Sequence, residues 1–215
     1  MRPIATFAVA AVLLPAAAFL LPAGLARGAL APAAPALEAR LGGEPKSGTF
    51  EIDPVHSSLL FNVMHADASR FWGRFDAFKG QVVVDAAKPD ASSVVVEVSA
   101  ESVDTGNQGR DNHLRGPDFF NSKEFPDIVF ESKKVEKAPK GFKVSGEFTM
   151  LGVTKPVNAD AEFIGYSENE RTGKRTGYEV RFTIKRSDFG MNYGAGGGGL
   201  GDEVNVLFSL SAVAK

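Results

Sequence analysis

Apolar and polar residues alternate with a period of two along most of this chain, and this pattern constrains the fold more than any other feature. The clearest case is residues 178–184, where every second residue is apolar and the residues between are polar or charged. Successive side chains of a β-strand point to opposite faces, so the alternation predicts strands with one buried face. The same pattern recurs in residues 142–148, 157–163 and 204–212.

Further segments combine β-forming residues with turn signals and bring the prediction to about eight or nine strands. Only residues 105–125 break the pattern, where Thr105 or Asn107 is placed to cap a short helix. The chain lacks a βαβ rhythm, and long strands outside a closed sheet would expose their edges. We therefore predict an all-β fold, an extended antiparallel β-barrel of about eight strands with a short helical insertion between strands. The further segments are residues 50–53, 57–66, 73–84, 92–103 and 128–135.

The N-terminal region differs in composition from the rest of the chain. Arg2 precedes an apolar run at residues 4–26, and the small residues Gly24 and Ala26 predict a signal peptide at residues 1–26. The run is also long enough to span a bilayer, so an uncleaved anchor helix is the alternative interpretation. Residues 27–46 are rich in Ala and Pro and are predicted to be a linker that precedes a single domain at residues 47–215.

Charge and residue content narrow the function classes. The net charge of −2, with both signs interspersed, gives no electrostatic footprint for nucleic acid. Cysteine is absent, and His56, His65 and His113 are not spaced as metal ligands, so we expect neither a metal nor a cofactor. Residues 194–199 match G-x-G-x-x-G, but a predicted strand follows rather than a helix, which argues against nucleotide binding. Since no nucleophile motif is present, no catalytic residue is assigned.

Phenylalanine dominates the aromatic content, with 17 residues against one Trp and three Tyr. Many phenylalanines fall on the inward phase of predicted strands or in the helical insertion. They either fill an ordinary core or together line a pore for a long apolar chain, which would gain about 0.8 kcal/mol per buried methylene. In the second interpretation the ligand-binding residues are Phe61, Val63, His65, Phe75, Phe119, Phe120, Phe130, Phe148, Phe163, Phe182, Phe189 and Phe208.

Polar residues are densest at positions 105–115. Their side chains either lock the helical insertion onto the barrel or form a lid in which Arg110 or His113 meets a polar head group. Arg186 falls on the inward phase of its strand. Because a buried arginine needs a partner, we predict that it pairs with a carboxylate such as Asp111 or Asp188.

Six short motifs, in this order along the chain, resemble those of the YceI-like family. The resemblance runs from about residue 48 to the C-terminus and implies an extended, lipocalin-like barrel. Known members are usually periplasmic and hold an isoprenoid chain in the apolar pore of the barrel. The motifs are Ile52-Asp53-Pro54-Val55-His56-Ser57, Gly73-Arg74-Phe75 with Phe78-Lys79-Gly80, Thr105-Gly106-Asn107 with Arg110-Asp111-Asn112-His113-Leu114, Phe125-Pro126-Asp127-Ile128-Val129-Phe130, Gly152-Val153-Thr154-Lys155-Pro156-Val157 and Arg186-Ser187-Asp188-Phe189-Gly190.

These observations favour a periplasmic carrier or store for an isoprenoid lipid or quinone, without chemistry of its own. Two alternatives stay open. One is an enzyme acting on such a lipid, which would require Arg110, Asp111 and His113 to face the pore. The other is a stress-related scaffold without bound lipid. Membrane contact is expected only transiently or through an uncleaved N-terminal helix, and a homodimer is left open.

Overall fold

A computed structural model describes residues 43–197 and 199–215. The predicted signal peptide, and the predicted linker as far as residue 42, lie outside the described residues. In the part described, no helix is long and apolar enough to cross a membrane. The elements are β1 (Gly48–Ile52), β2 (Ser58–His65), β3 (Ser69–Phe75), β4 (Phe78–Val84), β5 (Ser93–Ser99), β6 (Val103–Asp104), α1 (Gln108–Leu114), β7 (Asp127–Ala138), β8 (Gly141–Met150), β9 (Val153–Asn169), β10 (Gly173–Lys185) and β11 (Leu200–Ala214), with 3-10 turns at Pro89–Ala91, Ala100–Ser102 and Arg186–Phe189.

Eight of these strands close into a ring through antiparallel pairs. The order around the ring is β1-β4-β5-β7-β8-β9-β10-β11, and β11 returns to pair with β1. β11 also pairs with β2, which is followed by β3 and β6, so these three strands extend the wall beyond β1, β4 and β5. The predicted antiparallel barrel of about eight strands, with a short helix inserted between strands, is confirmed.

Two predicted strands are interrupted, and their prediction as single strands was wrong. Residues 73–84 form the end of β3 and all of β4, with a break at Asp76 and Ala77. Residues 92–103 are divided by the 3-10 turn Ala100–Ser102. The two breaks are adjacent, because the Asp76 amide donates to the Ser102 carbonyl at 3.1 Å. Neither glycine nor proline marks these positions, so local sequence rules give no signal there.

Of the two predicted capping residues, Thr105 and Asn107, it is Asn107 that caps the helix. Its Oδ1 accepts a hydrogen bond from the Arg110 amide at 3.0 Å, which satisfies one of the free donors of the first turn. The helix is only seven residues long and ends at Leu114. After the helix the chain turns back, with the Phe120 amide donating to the Leu114 carbonyl at 2.9 Å, and Phe119 is buried.

The alternating pattern places one face of each long strand in the barrel interior. In the β10–β11 pair, Val180 lies opposite Phe208 and Phe182 opposite Val206, so inward residues meet inward residues. Gly73 leaves room for an interior ring, since a Cβ at that position would lie 2.4 Å from Cζ of Phe61. The register of the strand pairs and the alternation of side chains along each strand together place the apolar side chains in one interior.

Candidate functional site

A cavity of about 400 Å³ runs through the barrel interior. Its walls come from β2 to β5 and β7 to β11, and about three quarters of the lining residues are Val, Ala, Leu, Ile, Met or Phe. Such a surface offers dispersion contacts and apolar burial but few hydrogen bonds. The cavity therefore suits a slim apolar molecule.

The two ends of the cavity differ. At one end it is bounded by the half-buried side chains of Leu114 and Phe120 and by the buried Phe119 and Met191. At the other end, exposed loop residues line it: Glu44, Ala86, Lys137 and Pro139. We call these the closed end and the open end. A ligand reaching the interior through the open end would pass charged residues and then meet an apolar lining.

Aromatic rings pack edge to face at the closed end. The Phe120 ring stands at 73° to Phe75 with centroids 5.3 Å apart, and Phe61 lies 5.5 Å from Phe75. On the opposite wall, Phe148 packs against Phe182 at 5.8 Å. These tilted contacts fix the rings while leaving faces and edges toward the cavity.

Ten of the twelve residues predicted to bind a ligand line this cavity. Their contact with a ligand stays a prediction, but the structure brings them to one surface. The ten are Phe61, Val63, Phe75, Phe119, Phe120, Phe130, Phe148, Phe163, Phe182 and Phe208.

Two of the predicted binding residues, His65 and Phe189, do not line the cavity. His65 is exposed because β2 ends at this residue, beyond the level of the enclosed interior. Phe189 lies in the 3-10 turn Arg186–Phe189, is 2% exposed and packs against Phe148 at 5.5 Å. Strand phase does not extend into either position, so neither side chain is brought to the cavity lining, and their contact with a ligand stays a prediction.

Several lining residues were missed by the sequence analysis. The largest group lies on β4 and β5, at Val82, Val84, Val94, Val96 and Val98. Valine occupies successive positions in both strands, so the inward phase is hidden. In β5, the charged Glu97 between two apolar neighbours marks the outward face and could have indicated the phase of the strand. Tyr178 was recognised as inward, but its significance as a polar lining residue was not.

Arg186 is buried at the closed end, where its predicted carboxylate pairing is wrong. Its guanidinium donates to four backbone carbonyls at 2.7–3.0 Å instead, and burial lowers its pKa while Asp202 opposes that effect. Carbonyl dipoles replace the lost hydration without a second buried charge. Arg186 thereby fixes the glycine-rich loop between β10 and β11. The four acceptors belong to Met191, Tyr193, Leu200 and Gly201.

The polar cluster at residues 105–115 holds the helical insertion in place. Asp111 is buried and accepts hydrogen bonds from the amide and hydroxyl of Thr105. The Arg110 guanidinium donates to Thr105 and lies 4.2 Å from the ring centroid of Phe71. His113 contacts Asp118 at 2.9 Å. Arg110, Asp111 and His113 do not line the cavity, so the arrangement that an enzyme would require is not formed.

A second polar cluster joins β1, β2 and β10. Oδ2 of Asp53 lies 2.7 Å from Nη1 of Arg175 and 2.7 Å from Nδ1 of His56. Arg175 is the main reason that the pKa of Asp53 falls to about 2, against an ordinary 3.8. The cluster fixes the bend between β1 and β2. Among the described residues, no group of three or more His, Asp or Glu side chains is arranged to hold a metal ion.

A small antiparallel barrel with an apolar interior is the architecture of a lipocalin-like barrel protein. The interior of such a barrel holds its own side chains or one slim ligand. The chain belongs to the YceI-like family, because the YceI-like domain matches residues 50–212. A UPF0312 protein of Pseudomonas aeruginosa is 35% identical over 175 residues, covering 80% of this chain and 91% of that protein. Protein YceI of Escherichia coli is 34% identical over the same coverage.

Solved structures share the fold. The crystal structure of Burkholderia cenocepacia BcnA matches with a TM-score of 0.68 and 25% identity, over 75% of this chain and 99% of that one. A polyisoprenoid binding domain from Saccharophagus degradans, implicated in plant cell wall breakdown, matches with a TM-score of 0.62 over 79% of this chain and 100% of that one. At 17% identity the second match demonstrates a common fold alone.

Proposed function

We propose that this barrel binds the hydrocarbon chain of an isoprenoid lipid, either a polyprenyl chain or a quinone tail, and serves as its carrier or store. The apolar cavity of about 400 Å³ carries the proposal. The domain of similar fold from Saccharophagus degradans is a polyisoprenoid binding domain, which supports this choice of ligand. Membership of the YceI-like family also supports this choice of ligand, because the matched domain, residues 50–212, covers nearly the whole barrel.

The physical basis is the loss of apolar surface from water. A chain of methyl-branched units can fill the spaces between the ring faces of the lining phenylalanines. Each buried methylene contributes on the order of 0.8 kcal/mol before the cost of immobilising the chain is subtracted. Binding strength would then depend mainly on the length of chain enclosed.

We further propose that the protein binds without catalysing a reaction and works in the periplasm. Arg110, Asp111 and His113 are engaged in fixing the helical insertion, away from the cavity lining. The periplasmic location rests on the N-terminal sequence, whose apolar run has the features of a signal peptide. An assay for conversion of added isoprenoid tests the first statement, and N-terminal sequencing of the exported chain tests the second.

The experiment is native mass spectrometry of the chain purified from its natural host, followed by solvent extraction of the bound molecule. One isoprenoid lipid per chain is the expected result. Val180→Trp narrows the cavity from the inward face of β10 and should reduce retention. Arg181→Trp is the matched control, because residue 181 is exposed on the outward face and retention should persist.

Three results would contradict the proposal. A wild-type chain that retains no lipid from its host would favour the empty scaffold. Equal retention by the two tryptophan variants would place the lipid outside the barrel. Conversion of added isoprenoid to a product, abolished by His113→Ala, would favour an enzyme.

A further inference from the structure

Tyr178 supplies a polar group within an otherwise apolar wall. It is 8% exposed, it lines the cavity, and its ring packs against Phe163 at 5.5 Å and Phe142 at 6.4 Å. Phe142 follows the β7–β8 turn, whose residues Lys137 and Pro139 line the open end. Tyr178 therefore stands toward the open end, away from the ring cluster at the closed end.

Within the part of the chain that the structure describes, Thr176 is the side chain placed to hydrogen-bond the Tyr178 hydroxyl. Burial raises the pKa of the phenol, and the nearby Thr176 hydroxyl opposes that rise. Yet Thr176 is 2% exposed and its Oγ1 has no hydrogen-bond partner of good geometry. The buried Thr176 hydroxyl is thus unpaired beside Tyr178, whose side chain lines the cavity. Such groups are rare in folded proteins, because an unpaired buried donor costs about 1–3 kcal/mol.

The other polar side chains of the lining are occupied or lie at the rim. Arg186 donates to four carbonyls, and Ser92 accepts from the Asp85 amide at 2.9 Å. Asp85 accepts from the amides of Ala87 and Lys88, and Glu44, Ser93 and Lys137 are exposed. An oxygen atom on a bound molecule would consequently find its hydrogen-bond donor at Tyr178.

We propose that Tyr178 recognises an acceptor oxygen on the isoprenoid ligand, with the oxygen-bearing group held near the open end and the chain directed to the closed end. Thr176 donates to the Tyr178 oxygen, and Tyr178 donates to the ligand, so one ligand oxygen completes a chain of hydrogen bonds through both hydroxyls. This inference rests on the proposed function and deepens it. It assigns the ligand to the oxygenated isoprenoids, of which a quinone carbonyl is the best-placed acceptor.

The test compares two probes of similar carbon content. Ubiquinone-2 carries carbonyl oxygens and two isoprene units, whereas phytane is a branched hydrocarbon without oxygen. Dissociation constants are measured by displacement of the dye anilinonaphthalene sulfonate from wild type and from Tyr178→Phe. The variant keeps the ring and its packing and removes only the hydroxyl.

We expect Tyr178→Phe to weaken ubiquinone-2 binding about three- to tenfold and to leave phytane binding unchanged, the range set by the loss of one hydrogen bond. Tyr166→Phe is the matched control, since the Tyr166 hydroxyl contacts Glu168 at 3.1 Å and is not part of the lining. It should alter neither probe.

An equal effect of Tyr178→Phe on both probes, or no effect on either, would overturn the inference while leaving chain binding intact. Failure of both probes to bind the wild-type protein would instead overturn the proposed function, and this inference with it. Circular dichroism and the unfolding midpoint of each variant establish that the fold is retained.

Discussion

The affinity for isoprenoids should rise with chain length only until the cavity is full. At about 30 Å³ for a group the size of a water molecule, a cavity of about 400 Å³ holds roughly 13 methylene-sized groups. With five carbons per isoprene unit, that corresponds to between two and three units. At about 0.3 kcal/mol per atom, each enclosed unit adds about 1.5 kcal/mol, or about tenfold in Kd.

Ala161→Phe tests whether the volume of the cavity sets this limit. Ala161 lies on the inward face of β9, is 6% exposed and lines the cavity, so the added phenyl ring takes the space of about one isoprene unit. The plateau of affinity should shift to a chain one unit shorter. Longer alcohols should bind about tenfold more weakly than they bind wild type.

Isothermal titration calorimetry with linear isoprenoid alcohols of two to five units measures this profile. Glu162→Phe adds the same ring on the exposed outward face and should reproduce the wild-type profile. Overpacking by Ala161→Phe costs about 1–3 kcal/mol of stability, so thermal unfolding must first show a folded variant. The reasoning is refuted if wild-type affinity keeps rising tenfold per unit through five units, or if Ala161→Phe gives the wild-type profile.

Three further predictions concern stability and processing. Arg186→Met should lower the free energy of unfolding by about 3 kcal/mol or more in urea titrations, because four carbonyls lose their donor; an unchanged midpoint would contradict the assigned role. The pKa of Asp53 is depressed, so its stabilisation is present above its ordinary 3.8 and is lost as pH falls through about 2. Asp53→Asn should therefore cost up to about 2 kcal/mol at pH 7 and flatten the dependence of stability on pH between 4 and 2, and parallel curves for the two proteins would count against this. N-terminal sequencing of the exported chain should begin at Arg27, whereas an intact Met1 in a membrane fraction would support the anchor.

The sequence predicted those parts of the barrel in which one face of a strand is buried and the other is solvated. β8 to β11 satisfy this condition, so their inward residues could be read from alternation. β4 and β5 also present one face to the interior, but the runs of successive valines at residues 82–84 and 94–96 conceal that face in the sequence. The breaks at Asp76 and at Ala100–Ser102 lie where the chain passes between the ring strands β4 and β5 and the added strands β3 and β6, a long-range arrangement that local residues do not reveal.

Strand phase predicted the cavity lining in the middle of strands but not at strand ends. Phe182 and Phe208 lie in the middle of long strands and line the cavity, whereas His65 and Phe189 lie at or beyond strand ends and do not. Arg186 illustrates a second limit. Its burial could be expected from phase, but its acceptors are carbonyls of a loop whose path depends on the finished fold.

The interior of the barrel, rather than its outer surface, should enclose the lipid chain. Photo-crosslinking with a farnesyl chain bearing a terminal diazirine, followed by peptide mapping, locates the bound chain. We expect adducts at inward residues near the closed end, such as Phe75, Phe120 and Val206. Adducts confined to the outer face, at the exposed Trp72 or at Leu207, would contradict it.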